Sequence, residues 1–167
     1  MPNSRNTFRD TRFLVIDRDK PVLKAVVNDL RLNGAAIVHA AESVQLGLDK
    51  LKGLHAHVDC IICAQDVTPI SGIEFLKNVR CGKSIGAHFL PGTKFIMLTA
   101  HRERALVETA LKLDINGYIT KPFDRAAFTH GIHSALAHHI DIKPATDYFD
   151  VDISQVRRLP VWLSSAC

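Results

Sequence analysis

At 167 residues, 47% of them hydrophobic, the chain suffices for one packed core and is short for two domains. A net charge of +4 and a pI near 9.0 are only mildly basic, and the Lys and Arg residues are scattered, so composition supplies no nucleic-acid stripe. No stretch reaches the roughly 18 uncharged apolar residues of a membrane span, and the N-terminal MPNSRNTFRDTR lacks the apolar core of a signal peptide; the expected compartment is the cytoplasm, with the four cysteines reduced.

Phe13 to Ile16 reads as a buried strand that delivers Asp17, Arg18 and Asp19 at its C-terminal end. From Lys20 to Asn33 the apolar residues Val22, Leu23, Val26, Val27 and Leu30 fall at helical spacing. Pro21 suits the first turn and Gly34 the stop. Ala35 to Ala40 is a second strand. Ser43 can cap a helix that carries Val44, Leu48 and Leu51 on one side and ends at Gly53.

The stretch Val58 to Gly72, VDCIICAQDVTPISG, is the centre of the chain: Cys60 to Gln65 has no charge, so a strand buried on both faces is expected, with its end opening onto a site. Cys60 and Cys63 have CxxC spacing, but residues three apart on a strand point to opposite faces, which favours two buried thiols over a metal or redox pair.

Gly72 to Arg80 places Ile73, Leu76 and Val79 on one helical face, and a long loop follows from Cys81 to Thr93. Lys94 to Thr99 is a fourth strand, and Arg102 to Leu113 a helix with Ala105, Leu106, Thr109, Ala110 and Leu113 inward. Tyr118 to Thr120 is a fifth strand, and Pro122 holds Lys121 extended at its tip. The last helix starts near Asp124 and buries Phe128, Ile132, Leu136 and Ile140.

Five strands alternating with helices argue for one parallel α/β sheet covered on both faces. Periodicity alone leaves the strand order open. Beyond Asp141 no period is sustained, yet Tyr148, Phe149, Val151 and Trp162 make this segment too apolar for a solvated linker. Docking back on the domain, binding a partner and disorder are the three readings.

These landmarks together resemble a receiver domain of two-component response regulators, over roughly Arg12 to Ala137. FLVID ends in Asp17, VDCIIC leads to Gly72, FIMLTA contains Thr99, and YITKPF contains Tyr118, Lys121 and Pro122. The resemblance implies a CheY-like, flavodoxin-like (βα)5 fold with strand order 2-1-3-4-5, a receiver-like domain over 10–140 and a C-terminal tail over 141–167. In that family an acidic pair and an aspartate at the tip of strand three hold Mg²⁺, and that aspartate takes a phosphoryl group from a histidine kinase.

Carried over residue by residue, Asp17 matches the first acidic position, Thr99 the phosphoryl-binding threonine, Lys121 the lysine and Tyr118 the aromatic switch. Arg18 falls on the second acidic position and Ala64 on the phospho-acceptor. Alanine has no nucleophile, and Mg²⁺ has lost two of three acidic groups, so no cofactor is expected. The pattern resembles the pseudo-receivers. Asp66, two residues on, is the alternative acceptor.

His130 and His133 lie a turn apart without a third ligand at suitable spacing, and His101 should be a loop residue near the pocket. No glycine-rich phosphate loop or serine nucleophile elbow marks an enzyme. The resulting expectation is a non-phosphorylated interaction module. It would dock a signalling protein, a histidine kinase or downstream effector, or a second copy, through a face containing Arg104, Leu111, Tyr118 and Arg125, with neither nucleic acid nor membrane as partner. The alternatives are a relay receiver working through Asp66, or an anion sensor using Arg18, Lys121 and Thr99.

Overall fold

The computed structural model describes residues 7–52, 57–83 and 89–157. Five parallel strands, β1 (Arg12–Ile16), β2 (Ile37–Ala41), β3 (Cys60–Cys63), β4 (Lys94–Thr99) and β5 (Gly117–Thr120), form one sheet in the order β2-β1-β3-β4-β5. The helices between them are α1 (Lys20–Leu32), α2 (Val44–Leu51), α3 (Gly72–Arg80), α4 (Arg104–Lys112) and α5 (Arg125–Ala137), and a short α6 (Ala145–Phe149) follows. This is the doubly wound order that the family resemblance implied, which periodicity alone left open. No described helix is long and apolar enough to cross a membrane.

Strand alternation sorts the core into two layers. Leu14, Ile16, Ile61, Cys63, Phe95 and Met97 meet the helices α2, α3 and α4, whereas Phe13, Val15, Cys60, Ile62, Ile96 and Leu98 meet α1 and α5. Cys60 and Cys63 therefore lie on opposite faces, and burial pushes both thiols well above their ordinary range. Phe8, ahead of the first strand, is also buried, with its ring edge-on to Phe13.

The helix ends follow local chemistry. Asp19, Ser43, Ser71 and Asp124 each accept a backbone N–H in the first turn of α1, α2, α3 and α5. Gly34 takes φ 86°, the left-handed conformation that ends a helix. Gly72 starts α3 so close under β3 that a Cβ there would stand 2.4 Å from the Ala64 carbonyl oxygen, which only glycine tolerates.

Several inward assignments shift. Ala105 is exposed, and α4 begins at Arg104 rather than Arg102. On α5 the third buried position is Ala135; Leu136 is half-buried, and Ile140 lies past the helix end. Gly53, the centre of the loop between α3 and β4, and Trp162 fall outside the described residues.

The segment after α5 returns onto the body. Lys94 Nζ donates to the His138 carbonyl, and Lys77 Nζ donates to the Phe149 and Val151 carbonyls. Tyr148 is fully buried and Ile153 nearly so, in the layer shared with α3 and α4. The Tyr148 hydroxyl donates to Asp114 Oδ2 (2.8 Å) and accepts from the Lys143 N–H. Beneath it, Arg80 is completely buried, and its guanidinium donates to the carbonyls of Leu113, Pro91, Thr93 and Asp114 and to Asn116 Oδ1, at 2.7 to 3.0 Å. Burial brings its pKa down to about 10, which leaves it charged at neutral pH.

Candidate functional site

The strand order brings the tips of β1, β3, β4 and β5 to one edge. Ladder bonds run past the strand ends: the Asp17 N–H donates to Ala41 O, the Ala64 N–H to Ile16 O, and the Lys121 N–H to Thr99 O, each at 2.9 to 3.1 Å. Each tip residue is thus placed by backbone rather than by its own side chain. Asp17, Arg18, Ala64, Asp66, Thr99 and Lys121 all line one cavity of about 390 Å³.

Within it the charges are already matched. Asp17 is 1% exposed; its Oδ1 accepts the Asp19 N–H (2.9 Å) and its Oδ2 meets Lys121 Nζ at 2.5 Å. Lys121 thus pairs with Asp17 rather than with Asp66. The Thr99 hydroxyl oxygen accepts the His101 N–H (3.1 Å), so its lone pair serves the turn after β4. Ala64 is 4% exposed and contributes only a methyl group.

Mg²⁺ needs several oxygen ligands in near-octahedral geometry. Here Asp17 is engaged by an ammonium, Asp19 caps α1 through Val22 N–H, Asp66 meets a histidine, and Arg18 lines the same hollow. Among the described residues no group of three or more His, Cys, Asp or Glu side chains could hold a metal ion. The residues present do not fit that ion. His130 and His133 line a shallow groove of about 750 Å³ along α5 with Arg125, and the His133 ring stands edge-on to Phe8.

Beside the pocket, the His101 ring sits between two carboxylates, with Nε2 2.7 Å from Asp66 Oδ2 and Nδ1 3.1 Å from Glu103 Oε1. The Tyr118 hydroxyl donates to the His101 carbonyl (2.7 Å), holding the half-buried ring inward; burial pushes this phenol up to about 12. Of the other face residues, Arg104 and Leu111 are exposed on α4, with Arg104 Nε 2.5 Å from Glu108 Oε1. Arg125 Nε reaches across to Asp29 Oδ1 on α1 at 2.8 Å.

Gln65 is the residue that sequence reasoning passed over. It is buried next to Ala64; its Oε1 accepts the Ile73 N–H (2.9 Å) and its Nε2 donates to the Val156 carbonyl (2.8 Å). The uncharged run Cys60 to Gln65 signalled its burial but not its partners, since one of them lies 91 positions along the chain. Glu103 was likewise missed, though it stands only two residues after His101.

A family model described as "Response regulator receiver domain" matches residues 13–133. Chemotaxis protein CheY-3 of Vibrio cholerae is 28% identical over 118 residues, which cover 71% of this chain and 85% of that protein. Transcriptional regulatory protein FixJ of Azorhizobium caulinodans is 30% identical over 125 residues, covering 73% of this chain and 53% of that one. Among solved structures, chemotaxis response regulator CheY4 of Vibrio cholerae superposes with a TM-score of 0.62 at 22% identity, covering 75% of this chain and 98% of that one. The non-phosphorylated HemR receiver domain of Leptospira biflexa gives 0.64 at 14% identity, over 79% of this chain and 98% of that one. At such identities the structural likeness speaks to the fold.

Proposed function

Because the chain belongs to the response regulator receiver domain family, we propose that it serves two-component signalling as a receiver without phosphoryl chemistry, presenting a protein-interaction face that phosphorylation does not switch. The observation that carries this reading is the 2.5 Å Asp17–Lys121 pair in the cavity where Ala64 contributes a methyl group. A lysine that would otherwise meet an incoming phosphoryl group already has its anion. Leaving either member of so buried a pair alone costs on the order of 3 to 5 kcal/mol, so the pair holds the pocket in one arrangement. The output face then includes Arg104, Leu111, Tyr118 and Arg125. Its partner is a signalling protein, a kinase or effector, or a second copy, and no enzymatic activity is proposed. The working unit is the body over 10–140 with the tail from 141 onward.

A second reading, phosphorylation at Asp66, has one observation behind it: Asp66 lines the same cavity as Thr99 and Lys121. A phosphoryl group there would displace His101 from Asp66 Oδ2. The vacated cavity as an anion sensor is disfavoured by the same pairing of Lys121.

Incubation with acetyl phosphate and Mg²⁺, read by intact mass, separates the readings. The expected result is no gain of a phosphoryl group, and partner affinity that does not change. A stable phosphoryl adduct lost in Asp66→Asn would establish the second reading. A tenfold change in partner affinity, about 1.4 kcal/mol, would end the constitutive model.

A further inference from the structure

The two nitrogens of His101 face two carboxylate oxygens that belong to different elements: Asp66 in the loop between β3 and α3, and Glu103 at the start of α4. An ionised carboxylate only accepts hydrogen bonds, so both contacts are made together only when both ring nitrogens carry protons. Glu103 occupies the cap position but makes no side-chain cap bond. Thr99 and Tyr118 then fix the same residue by its backbone, one accepting the His101 N–H and the other donating to its carbonyl.

We propose that His101 is a proton-operated latch: doubly protonated, it joins the pocket loop to the first turn of α4 and steadies the carbonyl that holds Tyr118 inward, so that the output face responds to pH. The proposal rests on the receiver reading only for the identity of that face. A neutral ring must turn one lone pair toward a carboxylate, and the Glu103 contact is the one to open, being longer and on a side chain 64% exposed against 29% for Asp66.

The surroundings of the ring favour the cation on balance. Asp66 and Glu103 oppose the effect of partial burial and hold His101 above its ordinary value. Cations also face this corner: Lys121 just past β5, engaged by Asp17, and Arg102, whose guanidinium lies 3.5 Å from the Lys121 carbonyl. Arg18 lines the adjoining cavity. From the tail, Gln155 and Val156 reach the hollow that His101 shares with Gln65, and neither carries charge. The Tyr118 hydroxyl, raised to about 12, stays protonated through the same window and remains a donor throughout.

The sign follows from the direction of the shift. With the folded value above the unfolded one, the stabilisation by His101 is complete below about pH 6.5 and is lost as pH rises through the folded value.

An NMR pH titration of the whole chain, without phosphodonor, tests the latch. The His101 ring protons should titrate above about 6.5, and the Tyr118 ring resonances should move with the same midpoint. Asp66→Asn should lower that midpoint by about one pH unit, and Glu103→Gln by less. A wild-type midpoint at or below about 6.5 would overturn the proposal. So would Tyr118 resonances that stay fixed while His101 titrates. Neither failure touches the constitutive reading, which is decided by phosphodonor and mass.

Discussion

Asp17 and Arg80 are buried at opposite edges of one sheet, and they are satisfied by different chemistry. At the C-terminal edge Asp17 meets a single opposite charge, Lys121, and one backbone N–H. At the N-terminal edge Arg80 forms no ion pair with a carboxylate among the described residues; its guanidinium ends on four main-chain carbonyls and the Asn116 side-chain oxygen. An ion pair of the first kind holds through two side chains alone. A guanidinium carried by α3 and sunk among carbonyls of the turn before β4 and the turn before β5 is a structural rivet. The molecule thus fixes its pocket edge by one ion pair and its other edge by many neutral acceptors.

The largest expected effect is at the rivet. Arg80→Ala strips donors from five buried or half-buried acceptors, and each such loss costs roughly 1 to 3 kcal/mol before relaxation. The expected destabilisation is about 4 kcal/mol in urea unfolding. Arg80→Lys should recover little, because one ammonium cannot span acceptors arranged around a planar fork. A loss below about 1 kcal/mol for the alanine variant would mean that water replaces the guanidinium, and the contrast between the two edges would collapse.

The pocket should respond less, and in a way that reveals pairing. Lys121→Met leaves Asp17 buried without its cation, for an expected cost of about 3 kcal/mol. Asp17→Asn combined with Lys121→Met should cost clearly less than the two single changes added together, since the double variant strands no charge. Additive costs would show that Asp17 and Lys121 act independently, and the held-pocket account would lose its basis.

The two edges also differ in how far they could be read from the chain. Asp17, Thr99 and Lys121 each close an apolar strand run, so once the (βα)5 pattern was drawn the sheet had to gather them at one edge. Ala64 stood out by the chemistry it lacks. Nothing comparable announces Arg80. At the end of α3 it has the look of a basic residue in a last helical turn, and its partners are carbonyls, which every residue possesses. The tail was open for the same reason. Tyr148 and Ile153 are buried, but five residues of α6 are too few for a period to emerge. On α4 the inward assignment of Ala105 failed because the buried face is the narrower one carrying Leu106, Thr109 and Ala110.

Gln65 is where the pocket loop and the tail touch, and it gives the finest test of whether the two regions communicate. Its Oε1 caps α3 through the Ile73 N–H while its Nε2 holds the Val156 carbonyl. Replacing the amide by a carboxylate keeps the first bond and removes the second donor, so Gln65→Glu should release the tail end and spare α3. The Val156 and Arg157 amides, both bonded to the Ile153 carbonyl, are the reporters. Losing one buried hydrogen bond is worth on the order of 1 kcal/mol, so their hydrogen exchange should quicken by about fivefold while the Ile73 amide stays protected. Equal acceleration at Ile73 would mean that the loop and the tail open as one unit. Unchanged exchange at Val156 and Arg157 would show that Tyr148 and Ile153 hold the tail without help from the pocket edge, leaving the two regions mechanically separate.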